Sequence, residues 1–164
     1  MSEHRASVEW HRTTPDFSYP TYDRSHVLRF GQGVEGVEVP ARAAPGNIPA
    51  TAPRAPGVDP EEGFVAAIAS CHMLWFLHLA CREKFTVDRY TDHAVGVLGK
   101  NRDGKMAVTR VTLRPTAVFG GDTRPTAEQL DRLHEKAHEQ CFIANSVRSE
   151  VVIEPQQDPG KEGK

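Results

Sequence analysis

The feature that most constrains the fold of this chain is a long apolar segment without proline, Glu61–Ala80. Asp59 and Pro60 precede it, and these residue types favour a helix N-cap and the first helical position. Glu61 and Glu62 then stand where acidic side chains stabilise the positive end of a helix dipole. Because the segment is apolar on nearly all sides, we expect a helix that is buried on most of its surface, at the centre of the fold.

Length and composition bound the class of protein. With 164 residues the chain is long enough for one compact domain with its own core, so its stability requires no disulfide framework or structural metal. The 20 Lys and Arg residues nearly balance the 22 Asp and Glu residues, which argues against a basic nucleic-acid-binding surface. We expect a single domain over residues 1–154 and a polar C-terminal tail over residues 155–164.

The N-terminal residues and the apolar segment bear on location. Met1–Trp10 is charged and lacks the apolar core of a signal peptide. Polar residues at Ser70, His72 and His78 interrupt Phe64–Ala80, which we interpret as too short and too polar to span a bilayer. The sequence therefore predicts a cytoplasmic protein without a membrane partner, whose three cysteines are free, metal-bound or catalytic.

The other predicted elements are short strands, grouped as hairpins, and a second helix. Strands are predicted at Val8–Arg12, His26–Phe30, Val34–Pro40, Thr91–Leu98, Met106–Leu113 and Val151–Ile153, with turns at Gly31–Gly33 and Asn101–Gly104. Thr126–Gln129 has the pattern of a capping box that begins a helix with Leu133, Ala137 and Cys141 on one face. The sequence predicts an α+β fold in which antiparallel hairpins pack around two long helices.

The spacing of the cysteines limits how they can pair. Cys71 and Cys81 lie ten residues apart on the predicted helix, roughly 15 Å along its axis, whereas a disulfide needs Cα atoms about 5.5 Å apart. They cannot pair within one straight helix, which leaves Cys141 as the other cysteine that could approach Cys71 in the same chain. A single cysteine in such a pattern is most often a small buried hydrophobe.

A reactive Cys71 would need a nearby cation, because an apolar helix raises the pKa of a thiol. An arginine from the early hairpin region could supply it, and Arg12, Arg24 and Arg29 are the candidates. A buried arginine in turn needs a carboxylate, for which the start of the helix offers Glu61 or Glu62. These residue types alone do not choose among the candidates.

Two motifs resemble those of a known family. Asp59-Pro-Glu-Glu followed by Gly63-Phe-Val-Ala-Ala-Ile-Ala-Ser-Cys71 is similar to the Asn-Pro-Glu-Glu/Gln … Ala-Ala/Ser-Cys motif of the OsmC/Ohr family, the osmotically inducible and organic hydroperoxide resistance proteins. Ala137-His-Glu-Gln-Cys141 resembles the family's second motif, an alanine-histidine pair shortly before a cysteine. The resemblance spans roughly Val8–Ile153 and points to a less characterised branch.

The resemblance implies an intertwined homodimer that reduces organic hydroperoxides with thiols, at two sites on the subunit interface. It implies that Cys71 is the peroxidatic cysteine and Cys141 the resolving one. Glu61 corresponds to the family's glutamate ten residues before the reactive cysteine. Arg24 corresponds best to the catalytic arginine, and Arg29 is the second choice.

The same resemblance implies the partners of the reaction. The substrate is an organic hydroperoxide, the reductant is a dithiol from a lipoyl protein or a small thiol, and no metal or other cofactor is needed. On a helix that starts at Glu61, this residue lies roughly 15 Å from Cys71. Either the helix starts later or each site takes Glu61 from the second subunit, and we favour the second subunit.

A competing motif is His134-Glu135-Lys136-Ala137-His138, which matches the zinc-hydrolase pattern H-E-x-x-H. Its third ligand would have to be Glu150 or Glu154. The other interpretation is a pair of partly exposed histidines beside the apolar face of the second helix. A third alternative for the whole chain is a dimeric scaffold that keeps the family fold without catalysis.

Overall fold

A computed structural model describes residues 1–31 and 36–157 of the chain. Their contacts form two compact units, residues 1–63 and the residues from 64 onward, and each unit is described by itself. Helix α1, Pro60–Arg82, begins in the first unit and continues through the second. The single domain over residues 1–154 stays a prediction.

The first unit contains a three-stranded antiparallel sheet of β1 (Ala6–Glu9), β2 (His26–Phe30) and β3 (Val37–Ala41), with β2 in the middle. The sequence predicted all three strands and the bounds of β2, while β1 starts two residues and ends three residues earlier than predicted. The predicted turn at Gly31–Gly33 and the predicted start of β3 at Val34 lie largely outside the described residues.

Two connections in this unit have ordered local structure. Between β1 and β2, Trp10, Phe17 and Tyr22 form an aromatic cluster with ring centroids 5.0–6.4 Å apart. The connection that follows β3 contains a short 3-10 turn, Pro45–Asn47, and a parallel bridge that joins Ala41 to the residue preceding the helix cap, Val58.

The start of α1 is fixed by a reciprocal pair of hydrogen bonds. The Asp59 carboxylate accepts from the backbone N–H of Glu62 at 2.9 Å, and the Glu62 carboxylate accepts from the backbone N–H of Asp59 at 3.0 Å. This arrangement is a capping box, which satisfies two backbone donors at the helix N-terminus. The predicted cap at Asp59 is confirmed.

Besides most of α1, the described residues of the second unit contain five strands and a second helix. They are β4 (Thr86–Asp92), β5 (Val95–Lys100), β6 (Met106–Leu113), β7 (Pro115–Gly120), α2 (Ala127–Gln140) and β8 (Glu150–Ile153). β4 pairs with β7 and β5 with β6, both antiparallel, whereas β8 pairs with β6 in parallel. β8 can pair in parallel with β6 because a long crossover that includes α2 connects the two strands.

The predicted strand Thr91–Leu98 is wrong, because the chain divides there into β4 and β5. The break coincides with the break between β6 and β7, where the Asp92 carboxylate accepts from the backbone N–H of Arg114 at 2.7 Å. The predicted turn between β5 and β6 is confirmed, since the Asn101 side chain accepts from two backbone N–H groups of the turn. The capping box of α2 at Thr126 is also confirmed.

The buried face of α1 is a single stripe. Its buried residues are Ile68, His72, Phe76 and Ala80, which are spaced four apart. The expectation that α1 is buried on most sides is therefore not met within one chain, and Leu74 is 60% exposed. By length and composition α1 passes the test for a membrane-spanning helix, but the core helix of a soluble protein passes the same test, so this does not contradict the interpretation of α1 as a core helix.

Candidate active site

Two of the predicted site residues meet in the second unit. Cys71 lies on α1 and is partly buried, while Cys141 directly follows α2 and is fully buried, and both are free thiols. Burial and a hydrogen-bonding interaction with the Cys71 thiol raise the pKa of Cys141 to about 11. The backbone N–H of Ala144 donates to the Cys141 Sγ at 3.4 Å, which fixes the direction of this sulfur atom. The structure thus brings together two thiols from different helices.

Cys81 stands apart from this pair. It is exposed near the C-terminal end of α1, ten residues after Cys71 on the same continuous helix. It provides a natural comparison for tests of the other two cysteines.

Arg24 lies in the first unit against aromatic rings. Its guanidinium lies 3.7 Å from the centroid of the Tyr22 ring and donates to the backbone carbonyls of Tyr22 and Tyr19 at 2.9 and 2.8 Å. Arg24, Trp10 and Phe17 line a cavity of about 450 Å³. Within the described residues Arg24 forms no ion pair, so its charge is not neutralised by a neighbouring carboxylate.

The other two candidate arginines have different surroundings. Arg29 lies on β2 and forms ion pairs with Glu9 and Glu38 on the two neighbouring strands. Arg12 donates to backbone carbonyls of its own loop. Arg29 is therefore ion-paired across the sheet surface, whereas Arg24 lines the cavity.

Sequence reasoning missed an arginine that binds the start of α1. Arg42 donates to the Asp59 carboxylate at 3.2 Å and to the Glu62 carboxylate at 3.3 Å. Its partners lie 17 and 20 residues away, so no local pattern indicated these contacts. Of the two glutamates, it is Glu62 that binds an arginine, and that arginine is Arg42.

Glu61 is partly buried. It forms no ion pair or side-chain hydrogen bond with any residue that the structure describes. Because α1 begins at Pro60, the alternative in which the helix starts after Glu61 is wrong. Glu61 and Cys71 therefore lie roughly 15 Å apart along one helix.

Within the described residues the H-E-x-x-H motif is not part of a cluster of metal-ligating side chains. His134 is buried, and its Nδ1 lies 3.1 Å from the Nε2 of His72, so the expectation that it is partly exposed is wrong. The proposed third ligands are engaged elsewhere, since Glu150 binds Arg110 and Glu154 binds Arg114. No group of three or more metal-ligating side chains occurs within residues 1–31 and 36–157.

A comparison with protein-family models decides the family. The model of the OsmC-like protein family matches residues 53–156, which is more than half of the chain. The chain belongs to the OsmC family. The resemblance of its cysteine motifs is thereby confirmed.

Solved structures confirm the α+β fold of this OsmC-like chain. An OsmC-like protein of unknown function from Vibrio cholerae is 48% identical, with a TM-score of 0.87 over 95% of this chain and 100% of that one. Organic hydroperoxide resistance proteins from Elizabethkingia anophelis and Bacillus subtilis are 20% and 19% identical, with TM-scores of 0.65 and 0.63. They cover 96% of this chain, and 96% and 98% of theirs. No curated protein matches the chain significantly.

Proposed function

We propose that this OsmC-family protein is a thiol-dependent peroxidase that reduces organic hydroperoxides to alcohols. The observation that carries the proposal is the interaction between the partly buried Cys71 thiol on α1 and the fully buried Cys141 thiol directly after α2. Two adjacent thiols can accept one oxygen atom and resolve the product as a disulfide without another redox group.

In the first step the Cys71 thiolate attacks the distal oxygen of the hydroperoxide. The O–O bond breaks, the sulfur is oxidised to a sulfenic acid, and the alkoxide takes a proton to leave as the alcohol. Arg24 is the proposed partner that stabilises the thiolate and the charge on the departing oxygen. Its guanidinium has no carboxylate partner within the described residues, which leaves its charge available for this role.

In the second step Cys141 condenses with the sulfenic acid. The Cys141 thiol forms the S–S bond, its proton leaves with the hydroxyl group as water, and further oxidation of Cys71 is prevented. An external dithiol, from a lipoyl protein or a small thiol, then reduces the disulfide and is itself oxidised. We place this cycle in the cytoplasm, where thiol reductants are maintained.

A second copy of the chain completes the proposed site. An apolar helix requires cover on all its apolar sides, yet α1 buries only one stripe within its own chain, and Leu74 is exposed. Glu61 also lies too far along α1 to serve the Cys71 of its own chain. We therefore propose a homodimer in which α1 is covered by the partner and Glu61 of one subunit serves the site of the other.

The surroundings of Arg24 support an organic substrate. The cavity beside it has aromatic walls from Trp10, Phe17 and Tyr22, which offer apolar surface to the organic group of a hydroperoxide and nothing specific to hydrogen peroxide. The proposal requires this cavity to lie beside Cys71 in the assembled protein. We expect cumene hydroperoxide to be reduced with a higher kcat/KM than hydrogen peroxide.

The test is steady-state reduction of cumene hydroperoxide with dihydrolipoamide as the reductant. Wild-type protein should turn over, and Cys71→Ser should show no activity above the uncatalysed rate. Cys141→Ser should oxidise once and then accumulate sulfinic acid at Cys71, detectable by mass spectrometry. Cys81→Ser is the matched control and should retain wild-type activity.

Two results would refute the proposal. One is full activity in Cys71→Ser, which would place the chemistry on another group. The other is a folded wild-type protein whose Cys71 is not oxidised by a stoichiometric amount of cumene hydroperoxide, as expected of a non-catalytic scaffold.

A further inference from the structure

A buried pair of histidines links the two helices that carry the cysteines. The Nε2 of His72 on α1 and the Nδ1 of His134 on α2 lie 3.1 Å apart, and the two rings are parallel within 3°. Relative exposure is 1% for His72 and 4% for His134. Phe76 packs on the His134 ring with centroids 4.5 Å apart, which holds the ring in place.

The bond requires at least one ring to be neutral, because one nitrogen must donate and the other must accept. Burial and the neighbouring histidines lower the pKa of His72 to about 3, and burial lowers the pKa of His134 to about 4. Both rings are therefore uncharged near neutral pH, and the hydrogen bond is intact under the conditions in which thiols react.

The two histidines lie close to the two cysteines along the chain. His72 follows Cys71 directly on α1, and His134 precedes Cys141 by seven residues, which is two helical turns. A residue and its neighbour two turns later lie on the same face of a helix. The histidine pair and the cysteine pair are thus two adjacent points at which α1 meets α2.

The rest of this helix contact is apolar and partly built of small side chains. Phe76 and Ala80 of α1 pack in one cluster with Leu133 and Ala137 of α2. Apolar packing is non-directional, so it allows small displacements along the helix axis, whereas an N–H···N hydrogen bond depends on distance and angle. A disulfide accepts only a narrow range of Cβ–Cβ distances, about 3.5–4.5 Å.

We infer that His72 and His134 are positioning residues that hold α2 in register with α1 so that Cys141 can form a disulfide with Cys71. This inference rests on the proposed function, because that disulfide is an intermediate of the proposed cycle. The rate and equilibrium of the disulfide step then depend on the hydrogen bond between His72 and His134, although neither residue is a reacting group.

The disulfide can be formed without a peroxide, which separates this inference from the peroxidase proposal. Oxidised dithiothreitol takes two electrons and two protons from Cys71 and Cys141, leaving a protein disulfide and reduced dithiothreitol. The equilibrium constant of this exchange measures how well the fold brings the two thiols together. A Cys81→Ser background leaves two thiols to count by alkylation and mass spectrometry.

Three variants are compared in that background. His72→Leu combined with His134→Leu removes the hydrogen bond without leaving one partner of the pair unpaired. His72→Gln keeps an N–H that can donate to His134. His78→Leu is the matched control, since His78 lies on the same helix but contacts Trp75 instead.

We expect the double variant to lower the equilibrium constant for disulfide formation about tenfold or more, because small displacements of reacting groups carry large costs. His72→Gln and His78→Leu should stay within about threefold of the parent protein. An unchanged constant in the folded double variant overturns the inference, as does a parent protein that forms no disulfide.

Should the double variant not fold, His72→Met is compared with His72→Gln at the same position. Equal constants for these two would overturn the inference. The two proposals can also fail separately. If the equilibrium constant for disulfide formation depends on the histidines but the protein does not reduce cumene hydroperoxide, the proposed function is refuted and the positioning role is not.

Discussion

The buried histidine pair predicts that the protein loses stability in mild acid. His72 and His134 have pKa values of about 3 and about 4 in the fold, against 6.5 for an exposed histidine. The unfolded chain therefore binds more protons than the folded chain between about pH 3 and pH 6.5, so stability falls as pH falls through this range. His138 adds repulsion to His72, and Asp131 partly offsets the shift of His134.

The size of the effect follows from these values. At about pH 5 each histidine is protonated in the unfolded chain and neutral in the fold, which costs about 2 kcal/mol per group and about 4 kcal/mol for the pair. A domain of this size has a total stability of about 5–15 kcal/mol, so acidification to about pH 5 would remove a large part of it.

The assay is urea unfolding at pH 7 and pH 5, at one fixed protein concentration. The loss of unfolding free energy between the two pH values should be about 4 kcal/mol smaller in the variant with both His72→Leu and His134→Leu than in wild type. His4→Gln, at an exposed position, should behave like wild type. Equal losses in the double variant and wild type would refute the reasoning, because the titrating groups would then lie elsewhere.

Three further predictions concern packing and assembly. Arg42→Gln should lower the unfolding free energy by about 1–3 kcal/mol, since it leaves the buried Asp59 carboxylate without its ion pair. Urea unfolding measures this change, and an unchanged midpoint would contradict the prediction. Leu74→Glu should shift the sedimentation coefficient from dimer to monomer, whereas Lys105→Glu should not, and a wild-type monomer at micromolar concentration would count against the interface. Phe76→Ala should cost about 3–5 kcal/mol in calorimetry, because Phe76 is fully buried.

The sequence predicted those parts of the fold that local chemistry determines. Asp59 and Thr126 are polar caps directly before the two helices, so both helix starts could be predicted to within a residue. The turn between β5 and β6 likewise depends on the side chain of Asn101 within the same few residues. The division of the predicted strand into β4 and β5 depends on Asp92 meeting the Arg114 backbone 22 residues later, which no local pattern contains.

The candidate site likewise could be predicted only where its residues lie in contiguous motifs. The flanks of Cys71 and Cys141 identified the two cysteines, because each motif is contiguous in the chain. The histidine pair had a weaker signal, since His72 falls on the buried stripe four residues from Phe76. Its partner His134 lies 62 residues away, and the zinc-like pattern around it favoured a different interpretation.

The contacts of Arg24 and Glu61 indicate that one chain does not hold all the groups of the proposed site. Sequence reasoning assigned one arginine and one glutamate to each other, yet within the described residues the carboxylates at the start of α1 bind Arg42, while Arg24 and Glu61 have no ion-pair partner. A charged arginine and a partly buried carboxylate are each costly when left unpaired. Their pairing across a subunit interface would remove both costs and cover the exposed face of α1 in the same step. Assembly and activation of Cys71 are then one event, so a variant that prevents dimerisation should lose peroxidase activity while each subunit remains folded.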